Sequence, residues 1–155
     1  MTRLGLDCKL YRNTGTYASP VWNEMPNVSD VTIPLSKGEA DTSTRASKWK
    51  TRKGTLKDAS IDFQLKYVPG DTDYAALLAS YIDGTTIDLL ALDGPVGTTG
   101  SQGLRAVCEV FNFQEGQALE SAVTFDVSAK PAPAFDTNGA PITPTWFTVP
   151  AGGGS

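Results

Sequence analysis

Few side chains in this sequence have the types and spacing that catalysis or metal binding needs. The 155 residues contain no histidine. Histidine acids and bases, Ser–His or Cys–His nucleophile pairs and histidine metal ligands are therefore excluded. Asp71 and Asp73 form a close acidic pair, but they stand where a helix is expected to begin and lack the later ligands of a calcium loop. Glu115 and Glu120 flank an expected turn, so we interpret both pairs as capping or solvated groups.

A glycine-rich stretch and two cysteines are the other candidates for chemistry. Residues 97–103 contain three glycines, but no Lys-Ser/Thr follows and no helix is expected to begin there, so the stretch does not fit a phosphate-binding loop. Cys8 and Cys108 lack metal-ligand spacing. Each stands at an inward position of an alternating run, where a free thiol packs as a small apolar residue; the sequence leaves a disulfide between them open. We therefore expect no enzymatic activity and no cofactor.

Alternating apolar residues predict that strands make up most of the chain. The run 58–67 is the clearest, with one apolar and one wholly polar face, and the run 122–130 repeats that pattern. The predicted fold is mainly β, with two packed antiparallel sheets, as a sandwich or partly closed barrel, beside one short α-helix. The expected strands cover 4–11, 31–35, 58–67, 86–92, 104–113 and 122–130.

A single helix is predicted over residues 72–83. Asp71 or Thr72 can cap its first turn, and Gly84 stands where a C-terminal cap belongs. Its apolar residues recur at helical spacing, so we expect them to face the sheets. They are Tyr74, Leu77, Leu78, Tyr81 and Ile82.

Two segments do not fit the strand pattern. Residues 36–54 form a long polar loop in a β-domain that we place at 1–131, and such a loop tends to be functional. Residues 132–155 are expected to form an extended C-terminal arm, in which Trp146 and Phe147 can dock. The last five residues, 151–155, are expected to be flexible or an engineered linker.

Charge is unevenly distributed along the chain. The net charge is −4, which argues against a free-standing nucleic-acid binder, yet residues 37–57 hold seven of the 13 basic residues. This basic segment is either solvated or an arm that docks on an acidic surface of a partner or another subunit. No apolar run reaches the length of a membrane span and no signal peptide precedes the first strand, so we expect folding in a reducing cytoplasm.

The order of several fragments resembles the tail tube proteins (major tail proteins) of long-tailed bacteriophages. The resemblance covers roughly residues 4–131, and no fragment in it is an active-site signature. The fragments are 4–13 (LGLDCKLYRN), 28–33 (VSDVTI), 37–45 (KGEADTSTR), 54–63 (GTLKDASIDF), 103–106 (GLRA) and 118–127 (ALESAVTFDV).

The resemblance implies a structural virion protein. Six copies would form a ring, and rings would stack into a hollow tail tube that encloses the tape-measure protein. The tube would conduct double-stranded DNA without sequence specificity during ejection. Further partners would be the tail-tip and terminator proteins; no membrane would be involved. The protein would be assembled in the bacterial host cytoplasm and reside in the virion tail.

The same resemblance assigns roles to three groups of residues. Strands 58–67 and 122–130 would line the lumen. Lys66 and Lys130 depart from an all-acidic lining, so either the lumen would be only mildly negative or these two residues would sit at its rim. The lumen-facing candidates are Asp58, Ser60, Asp62, Gln64, Lys66, Thr124, Asp126 and Ser128. Loop 36–54 would contact neighbouring subunits through Lys37, Arg45, Lys48, Trp49, Lys50, Arg52 and Lys53. The C-terminal arm would be anchored by Trp146 and Phe147.

Two other functions stay open from the sequence. One is a phage component that forms a single ring, such as a tail terminator or a distal tail protein. The other is a non-viral β-sandwich that binds carbohydrate or protein, although the strands offer no exposed aromatic platform.

Overall fold

The computed structural model describes residues 4–150, apart from the side chain of Asp7. A short 3-10 turn at Gly5–Asp7 precedes the first strand, and one α-helix interrupts the series of strands. The elements are β1 Lys9–Asn13, β2 Trp22–Glu24, β3 Val28–Thr32, β4 Leu35–Asp41, β5 Arg52–Ala59, β6 Ile61–Lys66, α1 Thr72–Asp83, β7 Ile87–Leu92, β8 Gln102–Gly116, β9 Thr124–Pro131 and β10 Thr145–Thr148.

The strands form two antiparallel sheets of very different size. The large sheet has eight strands in the order β2-β1-β7-β8-β9-β6-β3, with β10 paired to β8 beside that path. The small sheet is the pair β4-β5. No strand pairing among the described residues closes the large sheet into a barrel. The predicted fold class, mainly β with two antiparallel sheets and one helix, is confirmed.

The main core lies between the apolar face of the large sheet and α1. Leu77 of the helix and Ile61 and Leu65 of β6 are fully buried in it. Aromatic rings extend this contact, because Tyr74 of the helix lies 5.1 Å from Phe125 of β9, centroid to centroid. Burial of these side chains holds the helix on the sheet.

The helix begins and ends as the sequence predicts. Asp71 is the N-cap, and its Oδ1 accepts a hydrogen bond from the N–H of Asp73 at 3.1 Å. Gly84 ends the helix with φ of 73°, a left-handed conformation that glycine adopts at little cost. The predicted apolar stripe is wrong in its last turn, because Tyr81 and Ile82 are 52% and 66% exposed. Tyr81 keeps a contact with the sheet, a stacked arrangement with Phe113 at 6.4 Å between ring centroids.

The predicted first strand is wrong over its first half. The 3-10 turn interrupts the alternation, so β1 begins at Lys9, and Leu4 and Leu6 are 63% and 85% exposed. Cys8 is exposed instead of inward, whereas Cys108 is buried, and both thiols are free. A disulfide between them is therefore not part of this fold.

The predictions of a single strand over 58–67 and of a loop over 36–54 are both wrong, because parts of these segments pair with each other in the small sheet. The strand is divided at Ser60 into β5 and β6, and β5 pairs with β4 instead of continuing the large sheet. Much of the loop is thus paired backbone. We call β4, β5 and the connecting residues 42–51 the hairpin, and residues 42–51 the hairpin tip.

Candidate functional site: the polar face and the hairpin

One face of the large sheet carries the polar residues of β6 and β9. β6 is paired with β9 along its whole length, so the alternating side chains of the two strands stand side by side. The cross-strand partners on this face are Asp62 with Ser128, Gln64 with Asp126, and Lys66 with Thr124. We call these six residues, with Ser60, the polar face. All lumen-facing candidates except Asp58 are thus brought together.

Hydrogen bonds connect the acidic groups of the polar face to their neighbours. The Ser128 hydroxyl donates to Oδ1 of Asp62 at 2.7 Å, and the Ser60 hydroxyl lies 3.4 Å from the other carboxylate oxygen. Gln64 Nε2 donates to Oδ1 of Asp126 at 3.4 Å. Each carboxylate therefore receives a hydrogen bond from a neutral hydroxyl or amide instead of from a lysine or arginine, so its negative charge is not cancelled by an ion pair.

Asp58 does not belong to this face. It lies on β5, opposite Ser36 of β4, and its side chain is exposed on the hairpin. The break at Ser60 explains the error, because the sequence alternation 58, 60, 62 continues across a change of sheet.

The sequence prediction missed the two strands that widen the polar face. Asp30 and Thr32 of β3, and Asn112 of β8, line a shallow depression of about 440 Å³ together with residues of the polar face. Asn112 follows a β-bulge between β8 and β9, which shifts the alternation of β8 by one residue. Continuing the alternation of Ala106, Cys108 and Val110 would place Asn112 on the apolar face, so the sequence pattern did not predict its position on the polar face. The face spans four neighbouring strands, β3, β6, β9 and β8.

The two lysines on this side of the sheet lie at opposite ends of it. Lys66 is the last residue of β6, and Lys130 is close to the end of β9, opposite Glu109. Asp62 and Asp126 lie between these levels. The middle of the face is therefore acidic, and the positive charges stand at its two ends.

The hairpin is solvent-exposed from residue 35 to residue 58. Its tip is organised by its own polar groups: Thr42 and Thr51 are joined by a 2.9 Å hydrogen bond between hydroxyls, and the N–H of Thr51 donates to the hydroxyl of Ser43. Hydrogen bonds from the hydroxyl and the N–H of Ser43 hold the pKa of Asp41 below its ordinary value. The tip is thus a defined turn that projects away from the main core.

The positive charge of the hairpin is almost entirely unpaired. Within the described part of the chain, Arg52 forms the hairpin's one salt bridge, with Glu39 at 3.2 Å. Lys37 stands directly opposite Lys57 across the two strands, a like-charge pair that is unfavourable in isolation. Trp49, in the tip, is 81% exposed. The remaining basic arm candidates are Arg45, Lys48, Lys50 and Lys53, all of which are exposed.

The C-terminal segment docks on its own sheet. In β10, Trp146 lies opposite Leu104 of β8, and its Nε1 donates to Oε1 of Gln102 at 2.8 Å. Phe147 packs on a second apolar cluster that includes Tyr11 and the buried Val149. The arm is therefore folded back in part, although Trp146 remains 58% exposed. Residues 151–155, predicted to be flexible, lie outside the described residues.

Buried charges elsewhere hold the fold and show no catalytic arrangement. Arg105 and Asp88 form an inner ion pair at 2.7 Å, and the guanidinium lies 4.0 Å from the centre of the Tyr17 ring. Burial, with a smaller contribution from the charge of Asp88, raises the pKa of the Cys108 thiol to about 12, so this thiol is not a nucleophile at neutral pH. Between residues 4 and 150, no cluster of acidic or cysteine side chains is arranged to hold a metal ion.

The fold is that of the tail tube proteins of phages and related particles. The chain aligns with the tail of an empty gene transfer agent (GTA) particle at a TM-score of 0.67 and 14% identity, over 86% of this chain and 96% of that one. It aligns with the SPP1 tail tube at a TM-score of 0.72 and 13% identity, over 95% of this chain and 80% of that one. The resemblance in fold that the sequence fragments suggested is confirmed.

More distant similarity extends to a baseplate. The baseplate of the anti-feeding prophage (AFP) contains a chain that aligns at a TM-score of 0.53 and 7% identity, covering 92% of this chain and 91% of that one. No known sequence-family profile matches the chain. No curated protein matches it by sequence. None of the helices in the described residues is long and apolar enough to span a membrane.

Proposed function

We propose that this chain is a structural tail tube protein whose copies join into hexameric rings that stack into a hollow tube. The tube encloses the tape-measure protein and later conducts DNA. The observation that carries the proposal is the polar face, a four-stranded polar surface on a sheet of the tail-tube fold. The gene transfer agent tail that the chain resembles is described with C6 symmetry, which supports six copies per ring.

Two open strand edges support lateral assembly of the ring. β3 is an edge strand of the large sheet, and β7 pairs with β8 only as far as Cys108; the N–H of Val110 is taken by Ser80, and beyond it no described strand pairs with that side of β8. Unpaired N–H and C=O groups on such edges readily pair with another chain. In our proposal β3 of one copy adds to the distal half of β8 in the next, so that the four-stranded polar surfaces join into one continuous lining.

The charge of the polar face suits a lining past which DNA slides. DNA phosphates bind lysine and arginine and release counterions, which produces sequence-independent affinity. A lining with Asp62 and Asp126 at its centre offers no such contacts, and the hydroxyls and amides around them can hydrogen-bond water. Lys66 and Lys130 stand at the ends of the face, which is consistent with positions at the two rims of each ring.

The hairpin is the proposed contact between rings. An isolated two-stranded hairpin is marginally stable in water, so this exposed and basic one gains stability if it docks on another subunit. Its bare lysines and Trp49 would bind an acidic and apolar surface there. The inter-ring contact is then heterologous, and a heterologous contact that does not close propagates into a filament.

Negative-stain electron microscopy of the purified protein tests the proposal. We expect open-ended tubes, or stacked rings with a central hole, whose length grows with protein concentration. Single closed rings that never stack would indicate a terminator or distal tail protein instead. A persistent monomer at all concentrations would refute self-assembly by this chain.

Two tryptophan variants test the role of the hairpin. Trp49→Ala removes the exposed indole of the tip and should reduce tube formation while leaving the subunit folded by circular dichroism. Trp146→Phe is the matched control, because it removes only the intramolecular hydrogen bond to Gln102 and should leave tubes unchanged. Equal tube yield from Trp49→Ala and the unmodified protein would remove the hairpin from the inter-ring contact.

A further inference from the structure

The strand register gives the large sheet two distinct ends. At one end, Ile61 of β6 lies opposite Ala129 of β9, which lies opposite Val110 of β8. The hairpin leaves the sheet at this level, because β5 ends at Ala59. We call it the hairpin end.

The opposite end is formed by chain reversals. Lys66 of β6 lies opposite Thr124 of β9, and Thr124 lies opposite Gly116 of β8. The turn 117–123 and the loop 67–71 leave the sheet here, and they are joined by a 2.9 Å hydrogen bond from the N–H of Tyr67 to the carbonyl of Val123. We call this surface the turn end. β6 has six residues, so about 20 Å of strand separates it from the hairpin end.

The turn end exposes apolar side chains that the subunit does not cover. Leu119 is 100% exposed, and Tyr67 and Val68 are 40% and 43% exposed. The Tyr67 ring packs edge-on against Phe125, with 5.9 Å between centroids, so Tyr67 is anchored on the main core, whereas Leu119 projects fully into solvent. Exposed apolar side chains grouped on a tip of the fold are suited to binding another protein surface.

The turn end is also acidic. Glu115 and Glu120 are exposed there, and neither forms a salt bridge with any described residue. The one basic residue at this level is Lys66. The hairpin tip has the opposite composition, with unpaired lysines beside an exposed tryptophan. The two ends of one subunit are therefore complementary in charge, and both expose apolar groups.

We propose that the turn end is the receptor for the hairpin tip of a second copy. Trp49 of that copy packs on Leu119, Tyr67 and Val68, and its Lys48 and Lys50 face Glu115 and Glu120. The subunit cannot satisfy this contact itself, because its own tip projects from the other end. β4 has seven residues, so the hairpin extends about 24 Å, enough to bridge from one ring into the next. The inference rests on the proposed stacking of rings and assigns the surface that receives the arm.

Charge reversal is the first test. Glu115→Lys with Glu120→Lys should raise the critical concentration for tube growth about tenfold or more, because exposed pairs become like-charge pairs. Lys48→Glu with Lys50→Glu should do the same. All four substitutions in one chain should restore growth, since the pairs re-form with inverted sign. The matched control is a pair of single substitutions. Glu120→Lys alone should raise the critical concentration, whereas Asp83→Lys, which reverses an exposed acid at the hairpin end, should leave it unchanged.

Cross-linking between copies is the second test. In a Cys8→Ser background, a Ser47→Cys copy, which keeps Trp49, mixed with a Leu119→Cys copy should give a disulfide-linked dimer under mild oxidation. Ile82→Cys is the control partner, because Ile82 is 66% exposed but lies on the last turn of α1 near the hairpin end. Cross-linking to Ile82→Cys in preference to Leu119→Cys would place the receptor elsewhere and overturn the inference.

The two proposals fail differently in these experiments. If the unmodified protein forms tubes and the Glu115→Lys/Glu120→Lys variant forms them equally well, the turn end is not the receptor, and the proposed function stands. If the unmodified protein never polymerises at any concentration, the proposed function fails and this inference fails with it.

Discussion

Replacing Ser80 by alanine is expected to destabilise the subunit strongly, although the change removes one oxygen atom. Ser80 is fully buried on α1. Its hydroxyl donates to the carbonyl of Thr85 at 2.6 Å and accepts from the N–H of Val110 at 3.1 Å. The side chain therefore ties the helix end to β8 just before the bulge. Alanine leaves the buried N–H of Val110 without a partner, at about 1–3 kcal/mol, and removes the part-buried hydrogen bond to Thr85, worth about 1 kcal/mol, so we expect a loss of about 2–4 kcal/mol.

Ser101 provides a matched control with the opposite expectation. It is also fully buried, but its hydroxyl has no hydrogen-bond partner among the described residues. Alanine at this position removes a buried polar group that pays a desolvation cost with nothing in return. We expect Ser101→Ala to be neutral or to stabilise the subunit by up to about 1 kcal/mol.

Urea unfolding, followed by tryptophan fluorescence and circular dichroism, measures both effects. The protein is kept below its assembly concentration, checked by light scattering, because assembly would itself add stability. With a slope of about 2 kcal/mol per molar urea, Ser80→Ala should lower the midpoint by about 1–2 M, and Ser101→Ala should leave it unchanged or raise it slightly. Equal shifts for the two variants would show that burial of the serine, and not its hydrogen bonds, determines the cost.

Three further substitutions or reagents test other parts of the fold. Asp73→Asn breaks the 2.8 Å ion pair between Asp73 and Arg12, whose side chains are 9% and 16% exposed respectively, and should lower the free energy of unfolding by about 3–5 kcal/mol. Glu39→Gln, which breaks the exposed pair with Arg52, should lower it by less than about 1 kcal/mol. Gly103→Ala should prevent native pairing of β7 with β8, because a methyl group at this position would overlap the backbone of Ala91. Gly97→Ala is the control and should be tolerated, because a methyl group there meets open space. Soluble yield and circular dichroism of the two variants measure the difference. A thiol reagent should label Cys8 in the native protein and Cys108 only after unfolding. Burial raises the pKa of the Cys108 thiol from 9.0 to about 12 in the folded protein. The protonated thiol therefore contributes its full share of stability below pH 9, and this contribution should decline between pH 9 and pH 12. Labelling of Cys108 at neutral pH without unfolding would contradict its burial.

The parts of the fold that the sequence predicted well are those in which local chemistry and tertiary contact agree. The helix 72–83 has a capping aspartate, a terminal glycine and a buried Leu77, and its bounds were predicted correctly. The strand at 86–92 is nearly continuously apolar and nearly continuously buried, and the strands at 104–113, as far as Val110, and at 122–130 alternate in the same sense as their burial. Tertiary structure only extended or trimmed their ends by a few residues.

The errors have specific physical causes. The alternation of Leu4, Leu6 and Cys8 has the period of a strand, but no residue between 4 and 150 buries those leucines, and a 3-10 turn forms there. The division at Ser60 gives no sequence signal, because the polar alternation continues through it. Most of loop 36–54 was mistaken for irregular chain because exposed strands on both faces show no apolar period. The polar residues that share a face are determined by the pairing register of β6 with β9. These two strands are about 60 residues apart in the sequence, so local patterns do not reveal that register.

The pairing of β1 with β7 determines when during synthesis the subunit can close. Leu10 pairs with Ala91, about 80 residues later, so β1 waits for its partner for about 4–16 s at ordinary rates of translation. The hairpin needs only residues 35–59, so both of its strands are available long before the body of the fold can close. In the proposed stacking, the surface that receives the arm, at the turn between β8 and β9, is translated later than the arm, so a newly made arm can dock only on copies that are already complete.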